Sequence, residues 1–133
     1  MRKLPFILVS GGCRSGKSAY AEQAAKNFSA DCLYIATAEI SDEEMRQRVL
    51  LHRQSRGEGW RLHESSPDDA LNLWRQLPTL IRQGEALLFD CLTLWMASCM
   101  RHEPDGKNFS LHSRKLLQAL WELDCPVLVV SNE

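Results

Sequence analysis

The chain has 133 residues, 44% of them hydrophobic and 25% charged, with 7 Gly and 5 Pro. That is the material of one globular domain with one core, and it excludes a disordered or fibrous chain. Its 16 Lys and Arg stand against 17 Asp and Glu for a net charge of −1, so no global positive field is offered to nucleic acid, and any basic site must be local. The longest apolar runs, such as Pro5 to Val9 and Pro126 to Val130, fall far short of the ~20 residues that cross a bilayer.

In chain order, Met1 to Lys3 lead into an apolar run too short for a signal-peptide core and followed by glycines, which predicts a cytoplasmic protein. Short apolar runs then alternate with longer segments of helical periodicity, the pattern of parallel strands joined by crossover helices. The runs Phe6 to Ser10, Cys32 to Thr37, Ala86 to Asp90 and Val127 to Ser131 are nearly continuous in apolar residues, as expected of strands covered on both faces, and four central strands are predicted. Lys17 to Phe28, rich in Ala, Glu and Gln, predicts a first helix. A second is expected from Asp42 to about Arg56, acidic at its start and stopped by Gly57 and Gly59. Ser66-Pro67-Asp68-Asp69 starts a third, interrupted at Pro78, with Leu71, Trp74 and Leu77 toward the core. Leu92 to Met100 and Ser110 to Asp124 complete the helices, the last with Leu116, Leu117, Leu120 and Trp121 as an apolar stripe. Five cysteines, Cys13, Cys32, Cys91, Cys99 and Cys125, are odd in number and lack a Cys-x-x-Cys pair, so they are expected as reduced, mostly buried thiols.

Gly11-Gly12-Cys13-Arg14-Ser15-Gly16-Lys17-Ser18 fits G-x-x-x-x-G-K-[ST], follows a predicted strand and opens a predicted helix. Glycines at this spacing let the backbone turn around an anion, so that successive N–H groups and the helix N-terminus point at phosphate oxygens. Lys17 would reach the β and γ phosphates, and the Ser18 hydroxyl would ligate Mg²⁺. Asp90, closing an apolar strand, is the candidate second anchor for the metal; a helix N-cap is its other reading, and the two are compatible. His52 falls on the half-buried face of the second helix with Arg48 and Arg56 one turn to either side. Its position fits an ordinary boundary histidine, although flanking cations favour the neutral, nucleophilic imidazole. His63, His102 and His112 read as surface residues.

The segments GGCRSGKS, LYIATAE, DEEMRQRVLLHRQSR with the W and E that follow it, FDCLTLW and VLVVSNE together resemble the bifunctional adenosylcobinamide kinase / adenosylcobinamide-phosphate guanylyltransferase family of cobalamin biosynthesis. The resemblance implies a RecA-like P-loop fold, a three-layer α/β sandwich with a mostly parallel sheet. It implies phosphorylation of adenosylcobinamide by ATP or GTP, then transfer of GMP from GTP to give adenosylcobinamide-GDP. It assigns the covalent GMP carrier to His52 and nucleotide contacts to Gly11 through Ser18, to Ala36, Thr37 and Ala38, to Arg53, Gln54, Ser55 and Arg56, and to Glu64 and Asp90. It also implies a homotrimer. Relatives continue beyond the Asn-Glu of the last segment, so residues 1–133 are expected to form a single P-loop domain cut short at its carboxyl end. A plain P-loop kinase with no covalent role for His52, and a nucleotide-dependent nucleic-acid-binding module, are the competing readings.

Overall fold

The computed structural model describes residues 2, 4–12, 16–37, 59–65 and 67–132. The expected second helix, with His52, Arg53, Gln54, Ser55 and Arg56, lies outside the described residues, as do Cys13, Arg14, Ser15 and Ala38. The elements are β1 (Phe6–Gly11), α1 (Lys17–Phe28), β2 (Cys32–Ala36), β3 (Trp60–Glu64), a 3₁₀ turn (Pro67–Asn72), α2 (Leu73–Leu80), β4 (Ala86–Asp90), α3 (Leu92–His102), α4 (Phe109–Glu122) and β5 (Val127–Asn132).

The strands form one sheet in the order β1-β5-β4-β2-β3, and every ladder among the described residues is parallel. Period-two alternation along these runs divides the core in two. Leu33, Ile35, Leu87, Phe89, Val127 and Val129 face Leu73, Leu77, Trp95, Leu116 and Leu120 of α2, α3 and α4. Cys32, Tyr34, Leu88, Leu128 and Val130 point the other way, onto Ala21 and Ala25 of α1. The small alanines let α1 lie close across β1, β5 and β4. Helices on both faces of the sheet make the predicted three layers.

Three expectations change in detail. The sheet has a fifth strand, β3, whose sequence Trp60-Arg61-Leu62-His63-Glu64 is half polar because it pairs with β2 alone among the described strands. The stripe on α4 is narrower than expected: Leu116 and Leu120 are buried, whereas Leu117 and Trp121 are 44% and 52% exposed. Trp121 instead packs at the sheet's amino end, its ring 5.3 Å from that of Phe6, with the Arg2 guanidinium over both rings. The third helix begins as a 3₁₀ turn, and the α-helical part runs through Pro78 to Leu80; its fully buried residues are Leu73 and Leu77, with Leu71 and Trp74 packed at the core's margin.

β3 is tied into the fold by a charged pair. Arg61 donates from Nε to Glu85 Oε2 and from Nη2 to Glu85 Oε1, both at 2.7 Å, and from Nη2 to the Leu80 carbonyl at 2.7 Å. Arg82 N–H also donates to Glu85 Oε1 at 2.8 Å. Bidentate pairing of this kind is strong because both partners are charged and planar. The bonds from Arg61 hold the Glu85 carboxyl below the usual carboxylate range, against the opposing effect of burial. A depressed folded-state pKa stabilises the fold fully above the unfolded carboxylate pKa and ceases to do so as pH falls through the folded value. Glu85→Gln is therefore predicted to cost about 2 kcal/mol near neutral pH, the size expected for hydrogen bonds to a charged group. Urea melts should show the difference from the parent chain shrinking as pH drops below about 4.

Candidate active site

Because the strands run the same way, their carboxyl ends share one edge. Gly11 ends β1, Asp90 ends β4, Ala36 ends β2 and Glu64 ends β3, with Ala36 in register with both Asp90 and Glu64. β5 lies between the strand that leads into the glycine loop and the strand that bears Asp90, so those strands are about 10 Å apart by ordinary strand spacing. That gap is spanned from above by α1, which carries Lys17 and Ser18 in its first turn.

Gly16 opens α1 with φ of 82°. A Cβ there would meet nothing within 4 Å, so it is the left-handed backbone, and not lack of room, that demands glycine. Lys17 Nζ donates to the Gly12 carbonyl at 3.0 Å, holding the ammonium against the end of β1. Burial raises the pKa of the Cys91 thiol at the end of β4, opposed chiefly by the Leu94 N–H. Ser18 is half-buried one residue further along α1, and Gly11 is half-buried at the end of β1.

Asp90 is not the cap of α3. Cys91 is, its sulfur accepting from Leu94 N–H, while Asp90 Oδ2 accepts a hydrogen bond from the Tyr34 hydroxyl. Thr37 is buried and fixes the same segment: its hydroxyl donates to the Cys91 carbonyl at 2.7 Å and accepts from Cys91 N–H at 2.8 Å, and its own N–H donates to the Asp90 carbonyl at 3.0 Å. Ala36 is half-buried, and its carbonyl accepts from Ser65 N–H at 2.8 Å, which aligns the exposed Glu64 with the row. The structure thus sets Gly11, Gly12, Gly16, Lys17, Ser18, Ala36, Thr37, Glu64 and Asp90 along one edge of the sheet, with Gly11 and Glu64 on its two outer strands among the described residues.

Residue-type reasoning overlooked Tyr34. Its signal was a phenol within an otherwise apolar buried strand, where a hydroxyl requires a partner. Two of the histidines expected at the surface are half-buried. Burial lowers the pKa of His63 on β3, and His112 Nε2 lies 3.0 Å from Glu103 Oε2 across the turn between α3 and α4. The buried thiols Cys32, Cys99 and Cys125 are free, each with its pKa pushed up to about 11 by burial, which makes them inert core groups at neutral pH. Among the described residues no cluster of three or more His, Cys, Asp or Glu side chains could hold a metal by itself. The oxygen donors of Ser18 and Asp90 suit instead a hard cation held partly by substrate phosphates.

Residues 7–133 match the cobinamide kinase / cobinamide phosphate guanyltransferase family. The chain belongs to that family. Relatives bear it out: the bifunctional adenosylcobalamin biosynthesis protein CobP of Pseudomonas aeruginosa is 38% identical over 95% of this chain and 70% of its own length. Two proteins called bifunctional adenosylcobalamin biosynthesis protein CobU are 34% identical in Escherichia coli and 32% in Salmonella typhimurium, each over 96% of this chain and 75% of the relative. Members of the cobinamide kinase / cobinamide phosphate guanyltransferase family are enzymes of two transfer reactions, and so is this chain. Its fold is that of P-loop ATPases. It is similar to the ATPase EscN of an enteropathogenic Escherichia coli type III secretion system, with TM-score 0.65 at 16% identity over 97% of this chain and 38% of that one. A second type III secretion ATPase gives TM-score 0.62 at 13% identity over 97% and 43%.

Lys17→Ala is predicted to weaken GTP binding about 10- to 100-fold, the equivalent of losing one charge-assisted contact of ~1.5 to 3 kcal/mol. Melting of the nucleotide-free chain should hardly change, because the bond that Lys17 makes to Gly12 is exposed. Calorimetric titration and a thermal melt read the two quantities separately.

Proposed function

We propose that the strand-end edge serves both reactions of the family in this chain: transfer of a phosphoryl group from ATP or GTP to the aminopropanol hydroxyl of adenosylcobinamide, then of GMP from GTP to the new phosphate. The observation that carries the proposal is the juxtaposition of the glycine loop, Lys17 and Asp90 across β5. In the first reaction the substrate hydroxyl oxygen releases its proton to solvent and bonds to the γ-phosphorus, the bond to the β–γ bridging oxygen breaks, and the nucleoside diphosphate leaves. Loop N–H groups and Lys17 stabilise the charge on the non-bridging oxygens, which is the main task in phosphoryl transfer.

In the second reaction a neutral His52 ring nitrogen bonds to the α-phosphorus of GTP and pyrophosphate leaves. An oxygen of the substrate phosphate then displaces the histidine and yields adenosylcobinamide-GDP. Dividing one displacement into two is the usual gain of a covalent carrier. Arg53 and Arg56 neutralise the transferring and departing phosphates, and Gln54, Ser55, Ala38 and Glu64 complete the nucleotide contacts. Mg²⁺, held by Ser18 and Asp90 together with phosphate oxygens, supplies charge neutralisation. The family resemblance also supports a homotrimer.

The test is incubation with Mg²⁺ and GTP labelled at the α-phosphate, a denaturing quench and peptide mass mapping. An acid-labile, alkali-stable GMP adduct on the peptide containing His52, lost in His52→Ala, is expected. Phosphorylation of adenosylcobinamide without any adduct would leave a plain P-loop kinase, and an adduct that persists in His52→Ala would move the carrier to another residue.

A further inference from the structure

Gly12 and Gly16 present backbone and Lys17 an ammonium at one part of the edge, but Asp90 is a single side chain at a strand end, free to rotate unless something holds it. Two groups hold it. The Tyr34 ring is 4% exposed and packs edge-on against Trp60 of β3, centroids 6.1 Å apart at 71°. That contact restrains the ring whose hydroxyl donates to Asp90 Oδ2. Thr37 uses its hydroxyl as both donor and acceptor on Cys91, and its N–H on the Asp90 carbonyl, so backbone and side chain are fixed independently.

We infer that Tyr34 is a positioning residue for the metal–nucleotide complex: its hydroxyl occupies Asp90 Oδ2 while Thr37 latches the Asp90 to Cys91 backbone, leaving Oδ1 presented in a set orientation. This rests on the reading of Asp90 as the metal-side carboxylate. The chemistry is that of outer partners, which fix the orientation of ligating carboxylates and whose loss typically costs ~10- to 100-fold in metal affinity or activity. Tyr34 touches neither nucleotide nor substrate in this scheme, and it acts through Asp90. The Thr37 latch explains why a buried hydroxyl follows a strand otherwise closed by alanine.

The experiment measures binding of a non-hydrolysable GTP analogue by calorimetry, with Mg²⁺ and again in EDTA, for the parent chain, Tyr34→Phe, Thr37→Val and Asp90→Asn. Tyr34→Phe removes one oxygen and keeps the ring. It is expected to bind in EDTA like the parent and to lose roughly tenfold or more of the affinity gained on adding Mg²⁺. Thr37→Val is expected to lose part of the same gain, and the double variant Tyr34→Phe/Asp90→Asn should match Asp90→Asn alone. A Tyr34→Phe chain that keeps the full Mg²⁺ gain while Asp90→Asn loses it overturns the inference. Equal loss with and without Mg²⁺ does so too, because it assigns Tyr34 a merely structural role. An Asp90→Asn chain with the full gain instead overturns the metal-side reading of Asp90 itself. Should Tyr34→Phe fail to fold, Trp60→Leu, which removes the ring packed against Tyr34 and keeps its hydroxyl, is measured the same way: a loss confined to the Mg²⁺ gain supports the inference, and an unchanged gain overturns it.

Discussion

The parallel register of the sheet is the constraint from which the site follows. A strand buried on both faces must be apolar along nearly its whole length, which leaves its end as the place for polar chemistry. With every described ladder parallel, those ends fall on one edge. The segment after β1 and the carboxylate that ends β4 then share that edge without any long-range polar contact to bring them there. Open α/β sheets bind ligands at this edge for the same reason. The position of β5 between β1 and β4 sets the width of the site, and α1, seated close on its alanines, brings Lys17 and Ser18 over it.

The edge also divides labour between rigid and reactive groups. Tyr34, Thr37 and Cys91 are buried, and their polar atoms are used on one another, on the backbone or on Asp90. Lys17, Gly12 and Gly16 are more open, where a phosphate would reach them. Well-packed outer groups holding exposed reactive ones is the arrangement that pre-organised sites require. The far side of the sheet is secured separately, by Arg61 and Glu85 at β3 and by Arg2, whose guanidinium donates to the carbonyls of Trp121 and Leu123 at 2.6 and 2.8 Å. Stability is thereby supplied away from the chemistry.

Much of this was legible in the residues. α1 is Lys17–Phe28, as its composition predicts, and β4 is Ala86–Asp90, as its apolar run predicts. The glycine loop could be read because its spacing is dictated by backbone geometry. β3 was not, since a strand paired on one side keeps polar residues and loses the apolar signal; its Arg61 makes sense only beside Glu85, 24 residues away. Tyr34 and Thr37 were missed as holders of Asp90 for a related reason. Their partners are 56 and 54 residues distant, and periodicity reports which face a side chain takes but not which atom it meets. The split of the α4 stripe, with Trp121 drawn to Phe6 and Arg2, is likewise a long-range choice among local equals.

On the proposal above, the nucleotide binds at the strand-end edge. Amide hydrogen exchange with and without GTP and Mg²⁺ tests it directly, because ligand binding slows exchange in the segments it holds. Slowed exchange is expected in peptides covering Gly11 to Ala21, Ala36 to Thr37 and Asp90 to Leu92 together, though these are remote in sequence. Protection confined elsewhere, for instance to the walls of the 780 Å³ cavity between α2 and α4 lined by Trp74, Arg82 and Leu123, would contradict it.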